Sequence, residues 1–243
     1  MLKRAFDIII SGTALIILLP FLPPLALILR LTGEGEVFYI QPRMGKNGSN
    51  FGLIKLATML KDSPNLPGGN VTLAEDPRIL PLGRILRKTK LNELPQFWNI
   101  FKGEMSLVGP RPLIPASFHC YPEEMQEELK TLQPGLTGMG SLYFRDEESL
   151  FAVSKKADQE FYYEDILPYK CELEVWYKKN QNLWLDLKLI YFTVLAVLFS
   201  KKKFQRKSFK GLPVWTAAAN TDRELVEHIE GAQLDCVARR EVN

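Results

Sequence analysis

Hydrophobic and polar positions are distributed unevenly along the chain, and the unevenness marks its elements. Residues 8–29, IIISGTALIILLPFLPPLALIL, carry no charge. As a straight helix they would span ~33 Å at ~1.5 Å per residue, about one bilayer core. Pro20 falls inside that run, and Pro23 and Pro24 follow it. An interior proline removes a backbone hydrogen bond and clashes with the preceding turn, so it bends or breaks a helix. Lys3 and Arg4 lie before the run and Arg30 after it, which gives no one-sided basic bias. Those features predict a re-entrant helix-break-helix with Pro20, Pro23 and Pro24 at the break. A kinked spanning helix and a signal peptide are the alternatives. The signal peptide lacks a small-residue cleavage site after the apolar run.

Beyond Arg30 the pattern changes to that of a soluble domain. Residues 37–41 and 51–56 read as two short strands, with Gly45, Asn47 and Gly48 turning between them. Residues 62–70 are rich in Pro, Gly and Asn and read as a surface loop. Asp76-Pro77-Arg78 is a turn, and 82–88 is a short amphipathic piece. Asn92 then reads as a helix N-cap, because Leu94, Phe97, Trp98 and Phe101 follow at helical spacing as one apolar face. Glu93 would lie in the first turn, where the helix dipole favours an acid, and Gly103 would stop the helix. Residues 121–132 predict a helix started by Pro122, and 134–138 a turn cluster. Residues 158–179 predict a helix interrupted by Pro168.

A second apolar run, 183–199, reads LWLDLKLIYFTVLAVLF, and Lys201, Lys202, Lys203, Arg206, Lys207 and Lys210 follow it. An apolar helix ending in a basic cluster suits an anionic membrane surface, each basic residue there contributing about 1 kcal/mol. A buried core helix followed by a solvated basic loop explains the same pattern. From Pro213 onward only 225–232 shows apolar periodicity.

Composition narrows the classes. The chain has 243 residues, 46% of them hydrophobic, enough for one core with additions. A net charge of +3 does not argue for nucleic acid. Cys120, Cys171 and Cys236 are far apart and lack C-x-x-C spacing, which speaks against a disulfide framework or a zinc site. With only His119 and His228 in the chain, histidine chemistry has little to work with, and His119 reads as structural.

The chemistry concentrates in LRKTKLNELPQFWNIFKGEMSLVGPRP, residues 86–112. Glu93 is a candidate ligand for a hard cation, and Arg87 and Arg111 are candidate phosphate forks, with Arg43 and Arg78 as weaker ones. Pro110 and Pro112 restrict the backbone on both sides of Arg111. Read on spacing alone, Asn92 and Glu93 are also explained as a cap and a first-turn acid, Arg111 as a surface turn residue and Arg87 as a solvated helix face.

The ordered set of KRAFDIII, the Leu19-Pro20 break, GEVFYIQPRMGKNG, LRKTKLNELPQFWNIFKGEMSLVGPRP, QPGLTG and WLDLKLIYFTV resembles the bacterial sugar transferases, the monotopic polyprenyl-phosphate phosphoglycosyltransferases, over about residues 2–200. The resemblance implies an α/β fold, mostly helical with a small β-hairpin. It also implies a re-entrant membrane hairpin over 1–33, a phosphoglycosyltransferase domain with an interfacial C-terminal helix over 34–200, and a basic segment and polar tail over 201–243. It implies transfer of a sugar-1-phosphate from a nucleotide sugar, usually a UDP-sugar, to polyprenyl phosphate, with Mg²⁺ held at Glu93. Membrane lipids would be contacts and nucleic acid would not; a second copy or downstream glycosyltransferases would be further partners. The location would be the cytoplasmic face of a bacterial inner membrane. The product would initiate capsule, exopolysaccharide, O-antigen or glycoprotein glycans.

The chain departs from that pattern at two places. Asn92 stands where the family's Asp nucleophile precedes the Glu, and Ala57 where an Arg is common. An amide is a poor nucleophile. The departure leaves three readings open: transfer by Glu93 or by direct attack of the lipid phosphate, an engineered or deamidated position with Asp in the active form, or a catalytically silent membrane partner of another glycan enzyme. A membrane-surface adaptor needing neither Glu93 nor Arg111 is the rival from outside enzymology.

Overall fold

The computed structural model describes residues 2–66, 76–145, 147, 150, 156–199 and 206–215. Helix α1 (Leu2–Leu18) and helix α2 (Leu22–Thr32) are bent by 65° across a short break. Pro20 sits in that break, and Pro23 and Pro24 fall at the start of α2, where a missing N–H removes no helical bond. Among the described residues no single helix is long and apolar enough to cross a membrane, although the bent pair together has the length and composition. The polarity of α1 is inverted: its buried residues are Asp7 and Ser11, while Ile9, Ile16 and Ile17 are exposed. A helix folding against water would do the reverse.

Strand β1 (Phe38–Met44) pairs antiparallel with β2 (Asn50–Leu56), from Phe38 opposite Leu56 to Met44 opposite Asn50. The turn takes left-handed backbone at Asn47 and Gly48, residue types that tolerate it. Strand β1 runs past Gln41, beyond the expected end, because each strand of a two-stranded sheet has a free edge that Pro42 can occupy. Of the expected loop, 63–65 form a 3-10 turn and 67–70 lie outside the described residues.

Helix α3 (Pro81–Lys88) matches the expected amphipathic piece. The next helix does not match its expectation. Asn92 is not a cap: it lies inside a 3-10 turn, Leu91–Glu93, and helix α4 begins only at Gln96, with no side-chain cap. Pro95 cannot donate the bond that would join the two, so the turn and the helix stay distinct. Glu93 therefore sits in the 3-10 turn and not in the first turn of α4 (Gln96–Lys102). The apolar face is corrected too. Trp98 and Phe101 are largely exposed, whereas Gln96, Asn99 and Ile100 are buried. Asn99 is held there by bonds to Ile54 N–H, the Gly52 carbonyl and Glu104. Gly103 ends α4 in left-handed backbone, as expected.

Strand β3 (Ser106–Val108) pairs parallel with β4 (Gly135–Thr137), so the expected turn cluster at 134–138 is a strand. Helices α5 (Pro115–Phe118) and α6 (Glu123–Lys130) lie between these strands in the sequence, and α7 (Met139–Tyr143) follows β4. Helix α8 (Asp158–Phe161) runs through a π-turn, Tyr162–Ile166, into α9 (Leu167–Asn180). The expected interruption is thus a π-turn placed just before Pro168. Helix α10 (Leu183–Leu198) is capped by the Asn182 side chain, which accepts from Leu185 N–H. It buries Asp186, Leu189 and Ala196 and exposes Trp184, Tyr191 and Val197, so one face of this run packs on the core and the other is uncovered by protein.

The main core cluster holds Ile100, Met139, Ile166, Leu173, Tyr177 and Leu189, all almost wholly buried, and two smaller clusters gather around Leu129 and Leu56. Each such side chain contributes roughly 1.5–3 kcal/mol. The described part of the C-terminal segment, 206–215, folds back onto that core. Trp215 stacks on Tyr169 at 5.7 Å and donates to the Asp165 carbonyl at 3.1 Å. Lys201, Lys202, Lys203 and the tail from 216, including 225–232 and Cys236, lie outside the described residues.

Candidate active site

Five charged side chains on five different elements converge beside the hairpin β1–β2. Arg43 comes from β1, Lys55 from β2, Arg87 from α3, Glu93 from the 3-10 turn, and Arg111 from the turn after β3. Local backbone chemistry places them. Lys90 adopts left-handed backbone, which reverses the chain between α3 and the turn bearing Glu93. After β3, Gly109 lies against the neighbouring chain so closely that a Cβ there would fall 2.2 Å from the Gln133 carbonyl oxygen. Gly109 N–H bonds the Thr137 carbonyl at 2.9 Å and the Pro110 carbonyl accepts from Gly135 N–H at 2.8 Å, which fixes the base of the Pro110-Arg111-Pro112 turn.

Arg111 Nη2 donates to Glu93 Oε1 at 3.3 Å; the arginine side chain is 42% exposed and the glutamate 15%. Arg43 Nη1 donates to the Pro112 carbonyl at 3.0 Å and Nη2 to Gln41 at 2.5 Å, so Arg43 braces the same turn from below. Its Nε is buried without a partner. A narrow cleft is lined by Arg43, Lys55, Gln96, Arg111, Pro112 and Gly135.

The electrostatics favour anions. Burial pushes Glu93 upward, but the charges of Arg111, Lys55 and Lys90 outweigh it and hold the carboxyl at about 2. Burial lowers Lys55 to about 7; Glu93 opposes the shift, and Arg111, Arg43 and Arg87 reinforce it. Burial together with Arg111 lowers Arg43 to about 10. One carboxylate thus faces an excess of cationic groups, an arrangement whose charge balance a phosphate would improve.

The residues expected from the sequence fare differently. Glu93, Arg111 and Arg43 are brought together. Arg87 reaches Met59 Sδ at 3.8 Å, and its charge acts on Lys55. Arg78 is not among the residues lining the cleft. It is buried, with Nε and Nη2 on Asp76 at 2.8 and 2.5 Å and Nη1 on the Ser63 carbonyl at 2.9 Å. That guanidinium holds the loop together, on Asp76 and the Ser63 carbonyl. Asn92 is buried, and its Oδ1 has no hydrogen-bond partner.

Two residues were missed by the sequence reading. Lys55 is the lone charge in the apolar strand segment LIKL, which was the available signal. Glu174, on α9, accepts from Gly140 N–H at 3.1 Å, leaves Oε2 unpartnered, and is raised to about 8 by burial. With Pro110 and Arg111 it lines a second small cavity behind the turn. Nothing in its helical spacing distinguished it from a surface acid. Among the described residues no three His, Cys, Asp or Glu side chains cluster to hold a metal by themselves.

Residues 1–200 match the family model described as bacterial sugar transferase. An undecaprenyl-phosphate glucose phosphotransferase of Komagataeibacter xylinus is 34% identical over 207 residues, covering 83% of this chain and 37% of that protein. An undecaprenyl-phosphate galactose phosphotransferase of Salmonella typhimurium is 34% identical over 212 residues, covering 81% of this chain and 40% of that protein. The exopolysaccharide production protein ExoY of Rhizobium meliloti is 30% identical over 218 residues, covering 84% of this chain and 88% of that protein. The chain therefore spans less than half the length of the two phosphotransferases and most of ExoY.

Proposed function

The chain belongs to the bacterial sugar transferase family, and from that premise we propose that it transfers a sugar-1-phosphate from a UDP-sugar to polyprenyl phosphate, most simply undecaprenyl phosphate. The single observation that carries this reading is the Glu93–Arg111 pair, whose arginine lines a cleft together with Arg43 and Lys55. Both substrates are phosphates, so catalysis here is positioning and charge neutralisation. Arg111, held between two prolines, is placed to fork a phosphate oxygen pair. Arg43 braces it, and Arg87 and Lys55 add positive potential.

Asn92 occupies the place of the family's nucleophilic Asp, so the step is direct. An oxygen of the polyprenyl phosphate attacks the β-phosphorus of the nucleotide sugar. A new P–O bond forms, the bond between the β-phosphorus and the bridging oxygen breaks, and UMP leaves with that oxygen and its electron pair. Mg²⁺ fits this site as a hard cation that accepts one protein carboxylate and completes its shell with substrate oxygens and water. Glu93 would hold it, with the unpartnered Asn92 Oδ1 as a neutral oxygen donor next in the chain. When bound, it would supply charge neutralisation to the diphosphate.

The inverted polarity of α1 and the exposed apolar residues of α2 support a re-entrant hairpin over residues 1–33, dipping into the cytoplasmic leaflet of a bacterial inner membrane. The catalytic domain would cover 34–200, with α10 at the interface, and 201–243 would form a basic segment and tail. The product would prime exopolysaccharide, capsule, O-antigen or glycoprotein assembly. Asn92 favours one second reading, a catalytically silent membrane partner of another glycan enzyme. Incubation with UDP-sugars, Mg²⁺ and undecaprenyl phosphate separates the two: lipid-linked product supports transfer, and partner capture without product supports the silent reading.

A further inference from the structure

The charged residues at the start of α1 do more than flank an apolar helix. Asp7 is buried, and its Oδ1 accepts from Leu107 N–H at 3.0 Å. Lys3 Nζ donates to the Val108 carbonyl at 2.9 Å, to Tyr177 Oη at 3.1 Å and to Asp186 Oδ2 at 2.5 Å. Tyr177 Oη in turn donates to Asp186 Oδ1 at 2.6 Å. Lys3 and Asp7, one helical turn apart, therefore hold two successive residues of β3 on one face of α1. Arg4 donates to the Ile100 and Phe101 carbonyls at 2.6 and 2.8 Å, the last turn of α4. Basic groups there satisfy carbonyls that the helix itself leaves open.

Strand β3 leads directly into Gly109, Pro110 and Arg111. Helix α4 continues from the turn that carries Glu93. The N-terminal helix thus grips the strand that leads into the arginine's turn and the last turn of the helix that follows the acid's turn. We propose that Lys3, Arg4 and Asp7 are positioning residues, which fix β3 and α4 so that Arg111, at the cleft, meets Glu93. The inference rests on the reading of that cleft as the phosphate-transfer site. It makes the hairpin a part of the active-site framework as well as an anchor. A short parallel strand pair has few bonds of its own, and the two supplied by α1 fall on the residues just before the turn.

The test uses the full chain in phosphatidylethanolamine–phosphatidylglycerol vesicles, with two readouts. One is deuterium uptake over 106–111. The other is turnover of a UDP-sugar panel with Mg²⁺ and undecaprenyl phosphate. Asp7→Leu removes the acceptor, and Asp7→Asn keeps an oxygen in its place. Asp7→Leu is expected to raise uptake over 106–111 while uptake over 167–180 stays at the wild-type level. It is expected to lower turnover at saturating donor by at least roughly tenfold, the scale of one hydrogen bond to a charged group. Asp7→Asn is expected to restore both readouts. If Asp7→Leu unfolds the chain, Lys3→Met, which leaves the Leu107 bond in place, reads the same two quantities. Wild-type values for these variants, or an Asp7→Asn as impaired as Asp7→Leu, would overturn the inference. Locally raised uptake in a protein whose wild type turns over no donor would leave the grip on β3 standing and remove the transfer reading.

Discussion

Glu93 and Arg111 lie 18 residues apart in sequence and meet at 3.3 Å. The pair is a contact between two turns, one following α3 through left-handed backbone at Lys90 and one following β3 where Gly109 leaves no room for a Cβ. At 3.3 Å with a half-exposed arginine, the pair is a weak stabilising contact. The position of Arg111 in a cleft lined also by Arg43 and Lys55 is therefore better explained by what it binds than by what it stabilises.

Lys55 is expected to give donor binding a pH dependence near neutrality. Burial lowers it to about 7, so its charge is present below that value and lost above it. Donor affinity is expected to fall as pH rises through about 7, giving an alkaline rise in KM. Lys55→Arg, which stays charged, should remove that limb, and a KM–pH profile of both proteins checks it. For stability the sign is opposite. The buried charge costs the fold most below pH 7, and the cost is relieved between about 7 and the ordinary 10.5. Glu93 is held at about 2, so it contributes no limb near neutrality. Its stabilising share is present above its ordinary 4.5 and is lost as pH falls towards 2.

Asn92→Asp restores a carboxylate beside Glu93. The variant is expected to form a phosphosugar adduct on residue 92, detectable by intact-protein mass spectrometry with UDP-sugar and no acceptor. The wild type is expected to show none and to follow sequential kinetics. A wild-type adduct on any residue would refute the direct step.

Cysteines placed singly at Leu2 and Arg30, in a chain lacking its own three, report on the hairpin. Both are expected to react with a membrane-impermeant maleimide from the same side of sealed vesicles. Reaction from opposite sides would make α1 and α2 a kinked span.

Trp215 fastens the returning segment by stacking on Tyr169 and bonding the Asp165 carbonyl. Trp215→Ala is expected to cost about 3–5 kcal/mol, the usual range for emptying a buried aromatic site. A denaturant titration in detergent measures it.

The break at Pro20, the β-hairpin, Gly103 and the long apolar helix near the C-terminus were all legible, because proline, glycine and apolar periodicity act locally. Asn92 sits in a turn and not at a cap because Asn also suits tight turns and Pro95 separates that turn from the helix. The face of α4 was misassigned because apolar spacing says that a face exists, not whether protein or lipid covers it. The β3–β4 pair was invisible, since parallel pairing of three-residue strands depends on contacts far apart in sequence. Arg78 and Lys55 show the same limit for charge: one is spent on Asp76 and the other lines the cleft, and only the fold distinguishes them.

The most direct measurement is product formation by the full chain in vesicles containing undecaprenyl phosphate, with Mg²⁺ and a panel of labelled UDP-sugars. The account predicts one lipid-linked sugar phosphate with stoichiometric UMP. It predicts a loss of at least roughly 10²-fold in Glu93→Gln and of about tenfold or more in Arg111→Lys, where a single ammonium replaces a fork. Product formed at wild-type rates by both variants, or no product from any donor with the wild-type chain, would contradict it.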